Sequence, residues 1–583
     1  MALSAERPQT VRMRTENRSP GRAQGRPPTV LGGALGECVH VAGIYNFLRL
    51  AQEHGWRTIF LGPAVSIGEF IGAIQETDPD LVALSYRLTP ETGETLLRAF
   101  RDAVSEAGLE DKRFCFGGTP PVVARARALG WLERCFDGTE PVEQVIAYLR
   151  GDSGAAGGAA FPDTFVARLE WKRPFPLIRH HFGLPTVAAT EEGIRAIAEA
   201  QVLDVISLGT DQDAQEHFFH PERQDPRRKG AGGVPVRSAD DFRALYAASR
   251  TGNYPLMRTY AGTTDLLRLS ELYQETIHNA WCAVPLFWFN AMDGRGPMPI
   301  EESIRARQET MAWHGERDIP VELNEPHHWG MRDAPDTVYC ASAFLSAYNA
   351  RAYGVGDYLA QFMFNSPPST SDAMDLAKML ACLDLIEPLA QEGQAGTGRP
   401  FRIYRQTRTG LLSYPTDLAE ARGQLAASVY LQMALRPHVI HVVGFTEADH
   451  EATAAEVIEG CRIARRAIRN ALEGQPDPTH DPRVQARREE LVAETRTLLE
   501  AIAGLAPAGV TDPWSDATTL ARSVHLGLLD APQLKNNRFG RGEVVTRVVD
   551  GACVAVDPQR GEPWPERARI AHLLAPARLA VVA

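Results

Sequence analysis

The sequence predicts an α/β protein: a doubly wound parallel sheet, then a (β/α)8-type barrel, then a small C-terminal α/β segment. Three observations predict this architecture. The chain has 583 residues, which is too long for one hydrophobic core. Short apolar segments typical of strands alternate with helical patterns along most of it, as in parallel α/β folds. A run of Gly, Ala and Ser at 151–160 predicts a flexible linker between two such stretches.

The first α/β stretch covers residues 30–150 and follows a tail, 1–29, that we expect to be disordered. After a first strand that ends before Gly36, strands are predicted at 58–61, 81–85, 113–116 and 134–136. Helices are predicted between them at 43–54, 67–77, 91–107 and 120–130. One helix between successive strands predicts a parallel, doubly wound sheet, as in flavodoxin-like folds.

The second α/β stretch covers residues 161–475, and its repeated βα units favour a TIM-type barrel. Short apolar strands are predicted at 203–208, 255–260, 284–289, 320–323, 401–404 and 438–443. They are fewer than the eight of a complete barrel, so completeness is left open. Polar residues follow several of these strands, at the edge where barrels carry their active sites; they include Thr210, Arg258, Asn290, Asn324 and Arg405. Residues 476–583 predict a helical and then mixed α/β segment.

Composition excludes several functional classes. A net charge of −12 argues against a nucleic-acid-binding protein. No apolar run is long enough to cross a bilayer, and no apolar segment follows the N-terminal arginines as in a secretory signal. The 8 cysteines have no CxxC spacing, which disfavours a zinc ribbon. We therefore expect a cytoplasmic protein with neither nucleic acid nor membrane as partner; a homodimer is left open.

Three motifs lie at the ends of predicted strands in the first stretch. The first strand is followed by Gly36-Glu-Cys-Val-His40-Val-Ala-Gly43, and later strands end in Leu84-Ser85-Tyr-Arg-Leu88 and Gly117-Gly118. Imidazole ligates metals, a hydroxyl can hydrogen-bond a ligand, and glycines let a ligand approach the backbone. Together these motifs resemble the DxHxxG, SxL and GG signatures of the B12-binding domain.

That resemblance implies cobalamin as the cofactor and His40 as the lower ligand to cobalt, a metal site. It also implies a set of residues around the cofactor: Glu37, Cys38, Gly43, Ser85, Leu88, Gly117, Gly118 and Gly138. One position departs from the family. Cys38 stands where the family has an aspartate that orients the imidazole, and the neighbouring Glu37 is the alternative partner. The competing interpretation is a flavodoxin-like domain that holds no cofactor.

The chain also resembles one cobalamin enzyme family over a greater length. Residues 130–141 resemble the end of the small subunit of glutamate (methylaspartate) mutase. The stretches 255–262, 289–295, 527–532 and 538–543 resemble the large barrel subunit, as if both were fused. This implies an adenosylcobalamin-dependent isomerase, a radical mutase, acting on a small carboxylate. Arg258 and Arg295 match its carboxylate clamps and Arg332 is a candidate third, against the alternative of salt bridges on the barrel rim.

Two departures bear on the substrate and on the upper cobalt ligand. No glutamate or glycine run lies at 357–361, where that family meets the substrate amine, so we predict a substrate other than glutamate. No lysine matches the residue that contacts the adenosyl group in that family, so the upper cobalt ligand, adenosyl or methyl, is left open.

The segment 322–329 offers Glu325 and His327 as catalytic residues. Adjacent side chains of an extended segment point apart, which favours a substrate-polarising or general-base histidine over a metal site. The alternative functions are a corrinoid-dependent methyltransferase and a non-catalytic cobalamin carrier or sensor.

Overall fold

A computed structural model describes residues 27–138, 140, 142–151, 161–392 and 399–576. They belong to two compact units that divide after residue 160, and each unit is described by itself. Most of the predicted disordered tail (1–26) and of the predicted linker (152–160) lies outside the described residues. No helix in the described ranges has both the length and the apolar character needed to span a bilayer.

The first unit is a parallel sheet with helices between its strands. Its strands are β1 Thr29–Leu35, β2 Arg57–Val65, β3 Leu81–Tyr86, β4 Arg113–Gly118 and β5 Arg134–Phe136. Its helices are α1 Ala42–Glu53, α2 Ile67–Thr77, α3 Pro90–Glu106, α4 Pro120–Ala128 and α5 Val142–Arg150. The strands pair in parallel in the order β2-β1-β3-β4-β5, which confirms the predicted doubly wound sheet.

Both faces of this sheet are covered, as a parallel sheet requires. Strand β1 is buried along its whole length. Its successive residues Val30 and Leu31 belong to separate apolar clusters, because side chains of a strand alternate between its two faces.

The second unit contains a closed barrel of parallel strands. They are β6 Leu177–Phe182, β7 Val205–Leu208, β8 Leu256–Tyr260, β9 Cys282–Ala283, β10 Val321–Leu323, β11 Asp357–Phe364, β12 Arg402–Thr409 and β13 Val439–Val442. Each pairs with the next, and β13 pairs with β6, so the barrel is complete. The predicted barrel fold is confirmed.

Sequence patterns missed or misplaced four of these strands. The predictions omitted β6 and β11, placed a strand at 284–289 where the structure has only Cys282–Ala283, and ended β12 at residue 404 instead of Thr409. For β6 the reason lies in the barrel interior. β6 buries Arg179 and His180, so apolar patterning does not mark it, whereas β11 was missed although six of its eight residues are apolar or aromatic.

Helices surround the barrel and also occupy its carboxyl edge. They are α6 Phe165–Lys172, α7 Val187–Ala200, α8 Gln212–Glu216, α9 Ala239–Ala248, α10 Leu266–Ile277, α11 Ile300–Gly315, α12 Glu325–Gly330, α13 Asp336–Ala352, α14 Asp372–Glu392, α15 Leu418–Gln432 and α16 Ala454–Gly474. The short helices α8 and α12 follow β7 and β10 closely, so they lie at the edge where barrel enzymes place their sites.

The C-terminal segment packs on the outside of the barrel. It contains α17 Pro482–Ala503, α18 Ala517–His525, the antiparallel pair β14 Thr546–Val549 and β15 Ala552–Ala555, and α19 Glu566–Leu573. Helix α17 packs against α13 and α14, and Arg487 forms an ion pair with Asp336 at 3.1 Å. The barrel and this segment thus share one compact unit.

Candidate functional site

The carboxyl edge of the N-terminal sheet brings the predicted cofactor residues together. Strand order reverses between β1 and β3, and such switch points are where open α/β sheets bind ligands. His40 follows β1, and Ser85 of β3 pairs with Gly117 of β4. Residues distant in sequence therefore share one edge because their strands are parallel neighbours.

The loop from β1 to α1 holds His40 in an exposed position. Gly36 adopts a left-handed φ of 66° and its N–H donates to the Val65 carbonyl at 2.8 Å. The Cys38 side chain is fully buried, and its carbonyl accepts from the N–H of Ala64 at 2.9 Å. The loop is thus anchored on both sides of the exposed Glu37.

The predicted orienting partner of His40 is not present in this arrangement. Cys38 points into the apolar core, and Glu37 makes no hydrogen bond or ion pair with His40. The imidazole has no partner anywhere in the described ranges, so both ring nitrogens are available to a ligand. Cobalt ligation here would lack the carboxylate that usually raises imidazole basicity.

Ser85 and the paired glycines differ from one another in what surrounds them. Ser85 is 3% exposed, and its hydroxyl has no hydrogen-bond partner among the described residues. A Cβ on Gly118 would lie 2.7 Å from the Tyr86 carbonyl oxygen, so the sheet itself requires that glycine. A Cβ on Gly117 would have no neighbour closer than the Phe136 oxygen at 4.0 Å. Gly117 therefore borders open space at the sheet edge.

The remaining predicted cofactor residues lie on exposed segments. Gly43 is in the first turn of α1, and Gly138 follows β5 with a φ of 86°. Leu88 is 44% exposed and Val39 is 63% exposed, so apolar surface lies near His40 and at the end of β3. An exposed imidazole, an unpaired hydroxyl, a glycine facing open space and apolar surface are groups that fit a corrinoid.

A second candidate site is a cavity of about 660 Å³ at the carboxyl edge of the barrel. Its buried wall consists of side chains from β6, β8, α12, β12 and β13. They are the buried His180, His327, His328, Arg408 and His441 and the partly buried His181 and Tyr260. Despite this many imidazoles, no three His, Cys, Asp or Glu side chains within the described part of the chain are grouped as a metal site.

The two histidines of α12 lie side by side. Their ring centroids are 4.1 Å apart and each residue is 3% exposed. The expectation that adjacent side chains point apart here is wrong, because the segment is helical and not extended. Burial, followed by the positive charge of Arg408, lowers the pKa of His327 well below its ordinary value. Burial likewise lowers the pKa of His328, so both rings are neutral near pH 7.

The side chains of β6, β8 and β13 in this wall form an aromatic group. The Tyr260 hydroxyl lies 3.3 Å from His181 Nε2, and the two rings stack with centroids 5.5 Å apart. His441 meets His181 edge-on at 4.8 Å. Burial lowers the pKa of His181 and of His441 well below the usual value, and that of His180 to about 4.

Arg258 lies beneath this wall and does not line the cavity. Its Nη2 is 3.1 Å from Oε2 of Glu322, which also faces Arg179 at 3.4 Å and accepts from Trp281 Nε1 at 2.7 Å. Burial alone would raise the pKa of Glu322, but the two guanidiniums hold it below its ordinary value. Arg258 also lies over the Tyr260 ring at 4.8 Å.

The other predicted clamp residues occupy the rim. Arg295 lines the cavity, forms an ion pair with Asp293 at 2.6 Å and is 41% exposed. Arg332 does not line the cavity; it donates to the His328 carbonyl at 2.9 Å. The structure thus does not gather the three arginines around one point of the cavity.

Glu325, predicted as catalytic, hydrogen-bonds the backbone of the segment that follows β9. Its carboxylate accepts from the N–H groups of Leu286 and Phe287, and the residue is fully buried. Burial raises the pKa of Glu325 to about 8. It does not line the cavity, so its contacts give it a positioning role.

Arg408 is the cavity residue that sequence patterns missed. It lies near the end of β12, is 4% exposed and lines the cavity. It has no ion pair and no hydrogen bond with any residue in the described ranges, and its Nε is fully buried without a partner. The sequence did contain a signal for Arg408. Gln406 and Arg408 are two residues apart, so they lie on the same face of a strand that extends beyond residue 404.

Comparison with known proteins bears mainly on the first unit. Residues 28–146 match the model of the B12 binding domain. Glutamate mutase sigma subunit 2 of Haloarcula marismortui is 29% identical over 134 residues, which are 22% of this chain and 88% of that protein.

Solved structures give weaker matches. A novel cobalamin-binding protein from Desulfitobacterium hafniense is 22% identical over 21% of this chain and 58% of that one, with a TM-score of 0.19. The cobalamin-dependent S-adenosylmethionine radical enzyme OxsB is 13% identical over 84% of this chain and 63% of that one, with a TM-score of 0.17. Both matches span less than two thirds of the solved chain, and their scores are too low to bear on function.

The first unit is therefore a cobalamin-binding domain, as its motifs predicted. Its fold and the matching family model agree. The second unit is a complete barrel with a polar cavity at the edge where such barrels carry their active sites.

Proposed function

We propose that the protein is a cobalamin-dependent isomerase that rearranges the carbon skeleton of a small carboxylic acid other than glutamate. Adenosylcobalamin is the proposed form of the cofactor. The observation that carries the proposal is the unpaired, buried guanidinium of Arg408 in a barrel cavity, on a chain that also carries a cobalamin-binding domain. Carrying or sensing cobalamin does not require a buried polar cavity in a barrel.

The N-terminal domain would hold the cofactor through groups at its sheet edge. His40 would ligate cobalt, Ser85 would hydrogen-bond the nucleotide tail, and Gly117 would let that tail approach the backbone. When bound, adenosylcobalamin supplies a carbon-centred radical, and this chemistry comes from the cofactor and not from the protein side chains. The barrel's part is to bind the acid, hold it in one orientation and exclude water.

Arg408 is the proposed carboxylate anchor. Guanidinium is a planar fork that pairs with carboxylate bidentately and stays charged. Burial removes competing water, and the absence of an ion pair among the described residues leaves the fork available. The wall residue His327 adds a neutral hydrogen-bonding group beside it.

The predicted clamp arginines take supporting parts in this proposal. Arg295 lies on the rim and would meet the acid as it enters. Arg258 supports the Tyr260 ring from below, and Arg332 fixes the His328 backbone. Glu325 positions the chain after β9.

An amino-acid substrate is disfavoured by the distribution of carboxylates. Residues 357–361 are part of strand β11 and contain no glutamate. Glu322 is engaged by two arginines and Trp281. The carboxylates that do line the cavity, those of Glu216, Glu447 and Glu451, are partly or largely exposed. An ammonium at the buried wall would therefore lack a counter-charge, which costs several kcal/mol.

The test is conversion of candidate acids by the purified chain with adenosylcobalamin under anaerobic conditions, followed by NMR. The proposal expects a product of unchanged mass with a rearranged carbon skeleton, and none from the matched His40→Ala variant. A product heavier by one methyl group would favour the methyltransferase alternative. Rapid conversion of L-glutamate to 3-methylaspartate would refute the altered substrate while supporting the mutase class.

A further inference from the structure

We infer that the cavity selects a carboxylic acid that carries a neutral oxygen, a hydroxyl or a carbonyl, in addition to its carboxylate groups. Its carboxylate would pair with Arg408 and its neutral oxygen would meet His327 and His328. The inference rests on the proposed function and names its substrate class.

The first support is a concentration of buried polar atoms without partners. They are Nε of Arg408, Nδ1 of His327, both ring nitrogens of His328, Nδ1 of His441 and Nε2 of His180. All belong to residues that line the same cavity. A buried donor or acceptor left unpaired is destabilising. Such a concentration is expected where a ligand supplies the missing hydrogen bonds.

The second support is the chemistry of those nitrogens. A neutral imidazole carries one N–H donor and one acceptor nitrogen. A hydroxyl can satisfy both kinds of group at once, and a carbonyl oxygen can accept from the N–H. An ammonium offers donors alone, so it would leave the imidazole N–H groups unmet. The pair on α12, with rings 4.1 Å apart, presents both kinds of group at one place.

The third support is the charge inside the barrel. The guanidiniums of Arg179, Arg258 and Arg408 are buried there. The carboxylate of Glu322 lies beside two of them and is their shared partner. The interior therefore has an excess of positive charge, which attracts a carboxylate and opposes an ammonium, most strongly where water is excluded.

One carboxylate could reverse this preference. Glu447 lines the cavity and is exposed; it has no ion pair with the described residues, but its carboxylate and the Arg408 guanidinium interact electrostatically. Glu216, by contrast, is paired with Arg228 at 3.1 Å. If an amino acid binds, Glu447 is the group that would hold its ammonium, and the Glu447→Gln variant separates the two cases.

The experiment measures binding to the full chain by calorimetry, without turnover. The probes are four acids of one skeleton: glutarate, 2-hydroxyglutarate, 2-oxoglutarate and L-glutamate. We expect the hydroxy or oxo acid to bind about tenfold more tightly than either glutarate or L-glutamate, since the hydrogen bond to a buried group that only these two acids offer is worth about that factor, ~1.4 kcal/mol. Arg408→Met should weaken all four.

Variants at the histidine pair give the decisive comparison. His327→Phe and His328→Phe should remove the advantage of the hydroxy or oxo acid over glutarate and leave glutarate binding within about twofold, which a misfolded cavity would not do. L-Glutamate binding as tightly as the best probe and losing that affinity in Glu447→Gln would overturn the inference, as would no binding by any of the four acids. Tight binding without any isomerisation would instead remove the proposed function and leave the inference intact.

Discussion

The cofactor edge of the N-terminal sheet and the cavity of the barrel differ in burial and charge. At the sheet edge His40 is exposed and has no partner among the described residues, and Gly117 faces open space. In the barrel, Arg258, Glu322 and Arg179 are fully buried, and both arginines pair with Glu322. A substitution at the sheet edge should therefore change ligand binding, whereas one beneath the cavity should first change stability.

The two regions also differ in how far apart their partners lie in the sequence. The loop that carries His40 is held by contacts to the strand after the next helix, such as Gly36 to Val65. The Arg179–Glu322 contact joins residues 143 positions apart. A site built from residues close in sequence, such as the His40 loop, can be recognised from a short motif. A contact such as Arg179–Glu322 forms only when the barrel closes, so no short motif indicates it.

The largest expected effect is on the paired charges beneath the cavity. Glu322→Ala leaves Arg258 and Arg179 buried without their shared carboxylate, so it should lower the free energy of unfolding by about 3–5 kcal/mol. Urea denaturation followed by far-ultraviolet circular dichroism measures this. The matched control is Glu447→Gln on the exposed rim, which should stay within about 0.5 kcal/mol of wild type. An unchanged transition in Glu322→Ala would show that the pairing is dispensable.

A smaller effect should distinguish the two glycines at the sheet edge. Gly118→Ala places a Cβ 2.7 Å from the Tyr86 oxygen and should destabilise the domain by about 1–3 kcal/mol, even without cofactor. Gly117→Val should leave apo stability close to wild type yet abolish retention of cobalamin. The measurements are thermal unfolding and absorbance of the protein after gel filtration with hydroxocobalamin. Wild-type retention by Gly117→Val would remove that residue from the cofactor groove.

The next effect concerns the exposed histidine. His40→Ala should weaken cobalamin binding at least about tenfold, because loss of a supporting contact alone usually costs that much at a metal site. Labelling histidine with ¹⁵N should change the nitrogen splitting in the EPR spectrum of protein incubated with cob(II)alamin, and His40→Ala should abolish that change. The same spectrum from both proteins would exclude His40 as the ligand.

The smallest effect is a pH dependence from Glu325. Its pKa in the folded protein is about 8, above the ordinary value of 4.5, so the folded state holds a proton that the unfolded state has released. Stability should therefore fall as pH rises from about 6.5 to 8. Below that window the buried histidines act in the opposite direction, because burial lowers their pKa and stability rises with pH.

Glu325→Gln isolates this contribution. It should destabilise by about 1–3 kcal/mol at low pH, because the amide nitrogen cannot accept one of the two backbone N–H groups. The substitution should also reduce the fall of the free energy of unfolding between pH 6.5 and 8. Equal slopes in both proteins, measured by urea denaturation across that range, would show that Glu325 is ionised in the folded state.

Local signals were enough for the N-terminal sheet and for the class of the second unit. Single helices between successive strands predicted a parallel sheet, and His40, Ser85 and Gly117 were each placed at the end of a predicted strand, the edge that parallel strands share. These features follow from residues close in sequence, since each depends on one strand and the loop after it.

Only the tertiary structure decided the closure of the barrel and the contents of its cavity. Strand β6 carries Arg179, His180 and His181 in a segment of six residues, so apolar periodicity could not reveal it. The same holds for Arg408, whose burial and lack of a partner depend on side chains contributed by strands far away in sequence. Whether a guanidinium is a rim salt bridge or an unpaired anchor is set by which neighbours the fold brings to it, and that is a property of the closed barrel.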